Sequence, residues 1–209
     1  MGNRALIVPK DNERIGVYLH WNGGINSVTA LLKYCELKGY RSFGGKNGDS
    51  YGIARFTQVV GNFFGGGLSF GIVNVQPPIT KEYAENYDNG VYIIDGWEIS
   101  RRITSRYYND NYNVDEMLLD IDAAQPTEEQ LGKAFITAEI VDASELKIGD
   151  KVAILDTENH SRICEVVSLK WDRIHMLDSP IINYLNDGSP DNPNNILSGN
   201  VRRVKEENA

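Results

Sequence analysis

Ile15-Gly16-Val17-Tyr18-Leu19-His20-Trp21, followed by Asn22-Gly23-Gly24, decides how the first half of the chain folds. The seven leading residues are rich in β-branched and aromatic types, which suits a strand. Asn22-Gly23-Gly24 then turns the chain. The period changes after the turn. Ser27 is able to cap a helix, and Val28, Leu31, Leu32 and Cys35 recur at i, i+3, i+4 and i+7. That spacing gives one apolar face of a helix. Gly39 is placed to end it.

Working outward, Ala5-Leu6-Ile7-Val8 reads as a strand ended by Pro9, and the charged stretch Lys10 to Arg14 fits a hairpin connection to the next strand. Ser42 to Ser50 is a polar, Gly-rich loop. Tyr51 to Phe64 reads as a second amphipathic helix, with Ile53, Phe56, Val60 and Phe63 near one side and Gly65-Gly66-Gly67 at its end. Leu68 to Val75 is a strand stopped by Pro77-Pro78. Val91 to Ile94 and Trp97 to Ile99 flank Asp95-Gly96, a hairpin signal. Residues 1–106 therefore read as an N-terminal α+β domain, a mixed sheet with two helices.

Residues 107–132 differ in composition. They hold Asp110, Asp115, Glu116, Asp120, Asp122, Glu128 and Glu129 and no Lys or Arg. Val114 to Ile121 reads as a short helix, and Thr127 with Gln130 resembles a capping box. The segment is read as an acidic connector. Residues 133–209 read as β. Phe135 to Val141 alternates, Leu146 to Leu155 is a turn into a strand, and Ile163 to Leu169, Arg173 to Leu177 and Asn195 to Val204 supply further strands. Asn183 to Asn195 is a long polar loop. Short strands at close spacing predict a small β-barrel or SH3-like sheet.

The whole chain of 209 residues carries a net charge of −8. Nucleic-acid binders contact phosphate through Lys and Arg, so direct nucleic-acid binding is disfavoured. Met1 to Lys10 lacks the apolar stretch of a signal peptide, and no run reaches the ~18 apolar residues of a membrane span. The expectation is a soluble, cytoplasmic protein with Cys35 and Cys164 reduced and packed.

Catalytic signatures are absent. His20, His160 and His175 are the only histidines, and no G-x-S-x-G surrounds a serine. Two isolated cysteines cannot build a structural zinc site, so no metal or cofactor is expected. Asn109 to Asp115 alternates oxygen donors but places Val114 where a calcium loop needs Gly. Arg101, Arg102 and Arg106 form a small basic cluster that could pair with the acids after it. Two features stand out. His20, Trp21 and Asn22 set an imidazole and an indole at a strand end before a helix, a common place for a ligand. Asp110, Asp115, Glu116, Asp120 and Asp122 could imitate a row of phosphates and enter a basic groove.

Gly16 to Gly24, the helix from Leu31 to Tyr40, and Gly61-Asn62-Phe63-Phe64-Gly65-Gly66 resemble a group of uncharacterised proteins of phages and conjugative elements of Firmicutes. The resemblance covers about the first hundred residues. It implies a mobile element in a bacterial cytoplasm, where accessory proteins act against host defences by stoichiometric binding. Two expectations follow. One is an anti-CRISPR-like inhibitor that binds a basic or nucleic-acid-binding host protein, such as a CRISPR effector nuclease, through the acidic residues. The other is a binder or enzyme for a small molecule, such as a nucleotide signal, with its site at His20, Trp21 and Asn22.

Overall fold

The computed structural model describes residues 2–43, 50–65, 69–105, 111–172, 177–184, 195–197 and 199–205. They fall into two compact units, Met1–Thr127 and Glu128–Ala209.

The first unit is built on a five-stranded sheet. Its strands are β1 (Ala5–Pro9), β2 (Ile15–Leu19), β3 (Phe70–Asn74), β4 (Val91–Asp95) and β5 (Glu98–Ile103), in the order β3-β2-β1-β4-β5. β1 pairs antiparallel with β2 and parallel with β4, so the sheet is mixed. The five residues of β1 are all buried, as expected of a central strand covered on both faces. Leu6, Val8, Val91 and Ile93 point to one face, where they meet Val75, Ile79 and Ala84 from the segment carrying α3 (Lys81–Ala84). Ile7, Val17, Leu19 and Ile94 are equally buried on the other face. That face carries α1 (Ile25–Leu37), α2 (Ser50–Phe63) and α4 (Val114–Ala123), which pack on one another.

α1 buries Val28, Leu31, Leu32 and Cys35, the face read from the sequence. Its start differs. Gly24, not Ser27, is the N-cap, and Ser27 is buried inside the first turn. An extended glycine serves as an N-cap nearly as well as a serine, and the helix gains three residues, Ile25, Asn26 and Ser27. Its end is as expected. Gly39 has φ +66, its N–H bonds Glu36 O at 2.9 Å and the Tyr40 N–H bonds Cys35 O at 3.2 Å. This pair of bonds closes a Schellman motif, in which the positive φ favours glycine. Trp97 sits in the two-residue turn between β4 and β5, yet is buried. Its ring packs 4.9 Å from Phe43 and its Nε1 donates to Tyr40 O at 3.0 Å.

The acidic stretch is not a separate connector. Met117, Leu118 and Ile121 of α4 are buried against the helical layer, and the division between units falls after Thr127. Asn113 caps α4 by accepting from Asp115 N and Glu116 N at 2.9 and 3.4 Å. Two carboxylates in the first turn also suit the positive end of the helix dipole. Part of the acid in this segment is therefore explained by local helix chemistry.

The second unit has a six-stranded antiparallel sheet. β6 (Glu139–Asp142), β7 (Lys151–Leu155), β8 (Ser161–Asp172), β9 (Leu177–Tyr184), β10 (Asn195–Ile196) and β11 (Asn200–Arg203) lie in the order β10-β9-β8-β7-β11-β6. Among the described residues β10 and β6 do not pair, so no closed barrel is formed. Val141, Ala143, Leu146, Val152, Cys164, Val166 and Val201 make one core. The expected strand from Phe135 begins instead as a helical turn, α5 (Lys133–Ile136), with Gly132 at φ +80 before it. Phe135 is buried and lies under the Arg202 guanidinium at 5.1 Å, a contact the alternating pattern does not encode. The reciprocal capping box is Asp142 with Glu145, around the turn Ala143–Glu145, while Thr127 opens the short helical turn Thr127–Glu129. β9 was hidden by Pro180, since proline usually ends a strand. Here Pro180 pairs with Leu169, beside a bulge that sets Val167 out of register. Residues 173–176, in the expected strand, and 185–194, in the expected loop, lie outside the described residues.

Candidate functional site

The His20 corner is held by its backbone from both sides. His20 N–H donates to Ser69 O at 2.8 Å, and Asn3 N–H donates to His20 O at 3.1 Å. Tyr18 and His20 are two apart on extended chain, so their side chains share a face. Tyr18 Oη lies 2.8 Å from His20 Nδ1. With the phenol as donor, Nδ1 accepts and the ring proton sits on Nε2. Among the described residues Nε2 has no hydrogen-bond partner, and no carboxylate or nucleophile bonds the ring. The imidazole is half-buried, and its Nε2 lies beside Gly2, 3.5 Å from where a Cβ on that residue would stand.

Trp21 stands beside it. The two rings meet edge-on, centroids 4.9 Å apart at 76°, and the Trp21 residue is 44% exposed. The turn that follows fixes this placement. Asn22 has φ +54, a left-handed value asparagine tolerates better than most residues. Gly23 N–H then bonds Asn3 O at 2.8 Å. A Cβ on Gly23 would lie 2.5 Å from Asn3 O and 2.7 Å from Ala5 Cβ, so only glycine passes. The chain is thereby pinned to β1 before α1 begins.

Aromatic rings and an ion pair support the corner from behind. The Tyr18 ring packs 6.0 Å from Tyr87, which packs 6.0 Å from Tyr83. Burial pushes the Tyr18 and Tyr87 hydroxyls above the usual tyrosine range, so both stay protonated. The Arg4 guanidinium grips Asp88 with two bonds of 2.9 and 3.0 Å, and the Arg4 N–H adds a third at 3.1 Å. Behind that pair Asn89 donates to Asn3 Oδ1, and Arg102 donates to the Asn89 backbone O at 2.9 Å. Arg102 is thus engaged by Asn89 and by the Tyr92 ring at 5.0 Å, and Arg101 lies 4.0 Å from Glu13. Arg106 lies outside the described residues. Tyr18 could have been found by reading two residues back along the strand from His20. Tyr87 has no local signal.

The five candidate carboxylates do not form one face. Asp122 is 5% exposed and accepts a 2.8 Å hydrogen bond from Tyr34 Oη. It sits one residue from Ile121 and four from Leu118, on the buried side of α4, so it cannot meet a partner. Asp115 is exposed and lies 3.6 Å from Lys33. Glu116 and Asp120 are exposed one helical turn apart, with no ion pair among the described residues. Asp110 lies outside the described residues.

The other histidines differ. His160 is part of the β7–β8 turn, its Nδ1 3.7 Å from both Asp156 and Glu158. Asp156 accepts N–H bonds from Glu158 and His160, each at 2.9 Å, and a 3.0 Å bond from Arg162 Nε. His175 lies outside the described residues. Among the described residues no three metal-ligating side chains converge, and no helix is long and apolar enough to cross a membrane. Cys35 and Cys164 are buried thiols, and burial raises Cys35 far above the usual thiol range.

No protein-family model, curated protein or solved structure matches the chain.

Proposed function

We propose that this chain is a binding protein whose ligand site is the His20–Trp21 corner, and that the ligand is a nucleotide. The observation that carries the reading is the His20 Nε2, left without a hydrogen-bond partner among the described residues while Tyr18 occupies Nδ1, beside an exposed indole. An exposed indole offers a stacking platform for a base, worth about 1–3 kcal/mol. A neighbouring N–H donor suits a phosphate or carbonyl oxygen. Catalysis has less support, because His20 has neither a carboxylate to orient it nor a nucleophile to activate among the described residues. Sequestration of a nucleotide signal fits the setting implied by the resemblance to mobile-element proteins of a bacterial cytoplasm. The test is a thermal-shift panel of mono-, di- and cyclic nucleotides. A ligand at a hundred times its Kd stabilises the fold by about 2.7 kcal/mol. The rise in Tm is expected in the wild type and absent in Trp21→Ala. A flat panel would remove the reading.

A second reading rests on Glu116 and Asp120, which are exposed and make no ion pair among the described residues. It makes the outer side of α4 the contact with a basic host protein, a CRISPR effector nuclease being the most specific candidate. Charge reversal at both positions tests it by loss of inhibition. For the C-terminal unit, the SH3-like reading is supported by the turn Ala143–Glu145 packing against β9, which curls the sheet back on itself.

A further inference from the structure

The sheet of the first unit has one unguarded edge. In the β2–β3 pair, residue numbers of facing residues sum to 89 throughout the register. His20 N–H bonds Ser69 O and Val75 N–H bonds Arg14 O, both at 2.8 Å. Antiparallel pairs alternate between hydrogen-bonded and non-bonded. The bonded pairs are therefore Arg14 with Val75, Gly16 with Val73, Tyr18 with Gly71, and His20 with Ser69. It follows that the backbone N–H and C=O of Phe70, Ile72 and Asn74 point away from β2, out of the sheet. Among the described residues they have no hydrogen-bond partner.

Proteins protect such edges with charge, proline, bulges or short length. The other three sheet edges follow that rule. β5 exposes Glu98 and Arg101, β6 is four residues long with exposed Glu139 and Asp142, and β10 is two residues long. β3 has none of these devices. It reads Phe-Gly-Ile-Val-Asn, and Ile72 is 56% exposed. No Asp, Glu, Lys, Arg or His occurs anywhere from Phe56 to Thr80.

We infer that β3 is the dimer edge of this protein, pairing antiparallel with β3 of a second copy about a two-fold axis at Ile72. One symmetry operation satisfies all six outward groups. Ile72 exchanges two bonds with its own counterpart, and Phe70 exchanges two with Asn74 of the other copy, twice over. The contact is isologous, as closed dimers require. Charge at the contact itself does not oppose this occupant. Two chains of net charge −8 repel, and β3 lies in a long uncharged segment where they can approach. The joined sheet has ten strands, and Ile72 faces Ile72 across the axis as an apolar cross-strand pair.

Sedimentation velocity of the full chain over a concentration series tests this. The wild type is expected to form a dimer. Ile72→Lys sets two like charges opposite each other and should lower the association constant by about tenfold or more. Ile72→Pro removes a donor that the β2–β3 ladder does not use, so it should also give monomer while keeping the circular dichroism of the wild type. Ile140→Lys, at an equally exposed residue of β6, should leave the dimer unchanged. Deuterium exchange gives a reading without substitution: amides of Phe70, Ile72 and Asn74 should become protected as concentration rises. A wild type that stays monomeric at every concentration overturns the inference. So does a dimer that survives both Ile72 variants, or exchange at the three amides that ignores concentration.

Discussion

Tyr34 and Asp122 are joined by a 2.8 Å hydrogen bond in the interior of the first unit, 88 residues apart in the chain. The bond ties α1 to α4 and takes one of the acidic residues out of the surface. Burial, then this bond, raises the Tyr34 hydroxyl well above the usual tyrosine range, so it remains a donor at every pH the fold survives. Tyr34→Phe keeps the ring and removes the donor. It is expected to destabilise the protein by about 1–3 kcal/mol, since a buried carboxylate loses a bond and gains no water. Urea denaturation followed at the α-helical signal measures it. A loss below the error of the fit would mean that Asp122 is satisfied by other groups.

Gly23 carries a second expectation. A methyl group there meets the Asn3 carbonyl and the Ala5 backbone. Gly23→Ala should cost about 1–3 kcal/mol through overpacking, and it should displace Trp21. A blue or red shift of tryptophan emission in the folded variant reports the displacement. Unchanged emission and stability together would show that the turn relaxes without moving the indole.

In the second unit, Asp156 sets an acid limb. Burial acts to raise its pKa, but the N–H bonds from His160 and Glu158 and the Arg162 guanidinium outweigh it and hold the carboxyl below the usual range. A depressed folded pKa contributes stability above the unfolded aspartate value of about 3.9, lost as pH falls through the folded value. Asp156→Asn keeps the N–H acceptor and loses the charge. It should be less stable than wild type by about 1 kcal/mol at neutral pH, with the gap closing in acid. A gap independent of pH would place the effect elsewhere than in ionisation.

Glu116→Lys with Asp120→Lys separates surface charge from folding. Both residues are exposed and outside ion pairs among the described residues, so stability should change by less than about 1 kcal/mol, mostly from the helix dipole. If α4 is a docking face, capture of a basic partner from host cells should vanish in this variant. Capture that persists would leave Glu116 with the local role of starting α4.

Local patterns were legible and long-range ones were not. Val28, Leu31, Leu32 and Cys35 declare their shared face because a helix repeats within a few residues, and Gly39 declares its end for the same reason. Asp95-Gly96 marks its hairpin likewise. Asp122 shows why the acidic stretch misled. Its carboxylate is counted in the charge of the segment, but its burial depends on Tyr34, far away in sequence. Phe135 sits in an alternating run that looks like a strand, while Gly132 and the Arg202 contact make it a helical turn. His20, Trp21 and Asn22 could be singled out as a corner before a helix. The bond that occupies Nδ1 needed Tyr18, which lay in plain view two residues earlier. The Tyr87 packing and the Arg4–Asp88 pair behind it are tertiary.

The most direct measurement is isothermal titration of the nucleotide selected by thermal shift into wild type, His20→Ala and Trp21→Phe, with each variant first verified as folded. The account predicts one site per chain, affinity reduced about tenfold or more by loss of the imidazole N–H donor in His20→Ala, and a smaller loss in Trp21→Phe, which retains a ring to stack on. Equal affinity in all three proteins, or no heat with any nucleotide, would contradict it.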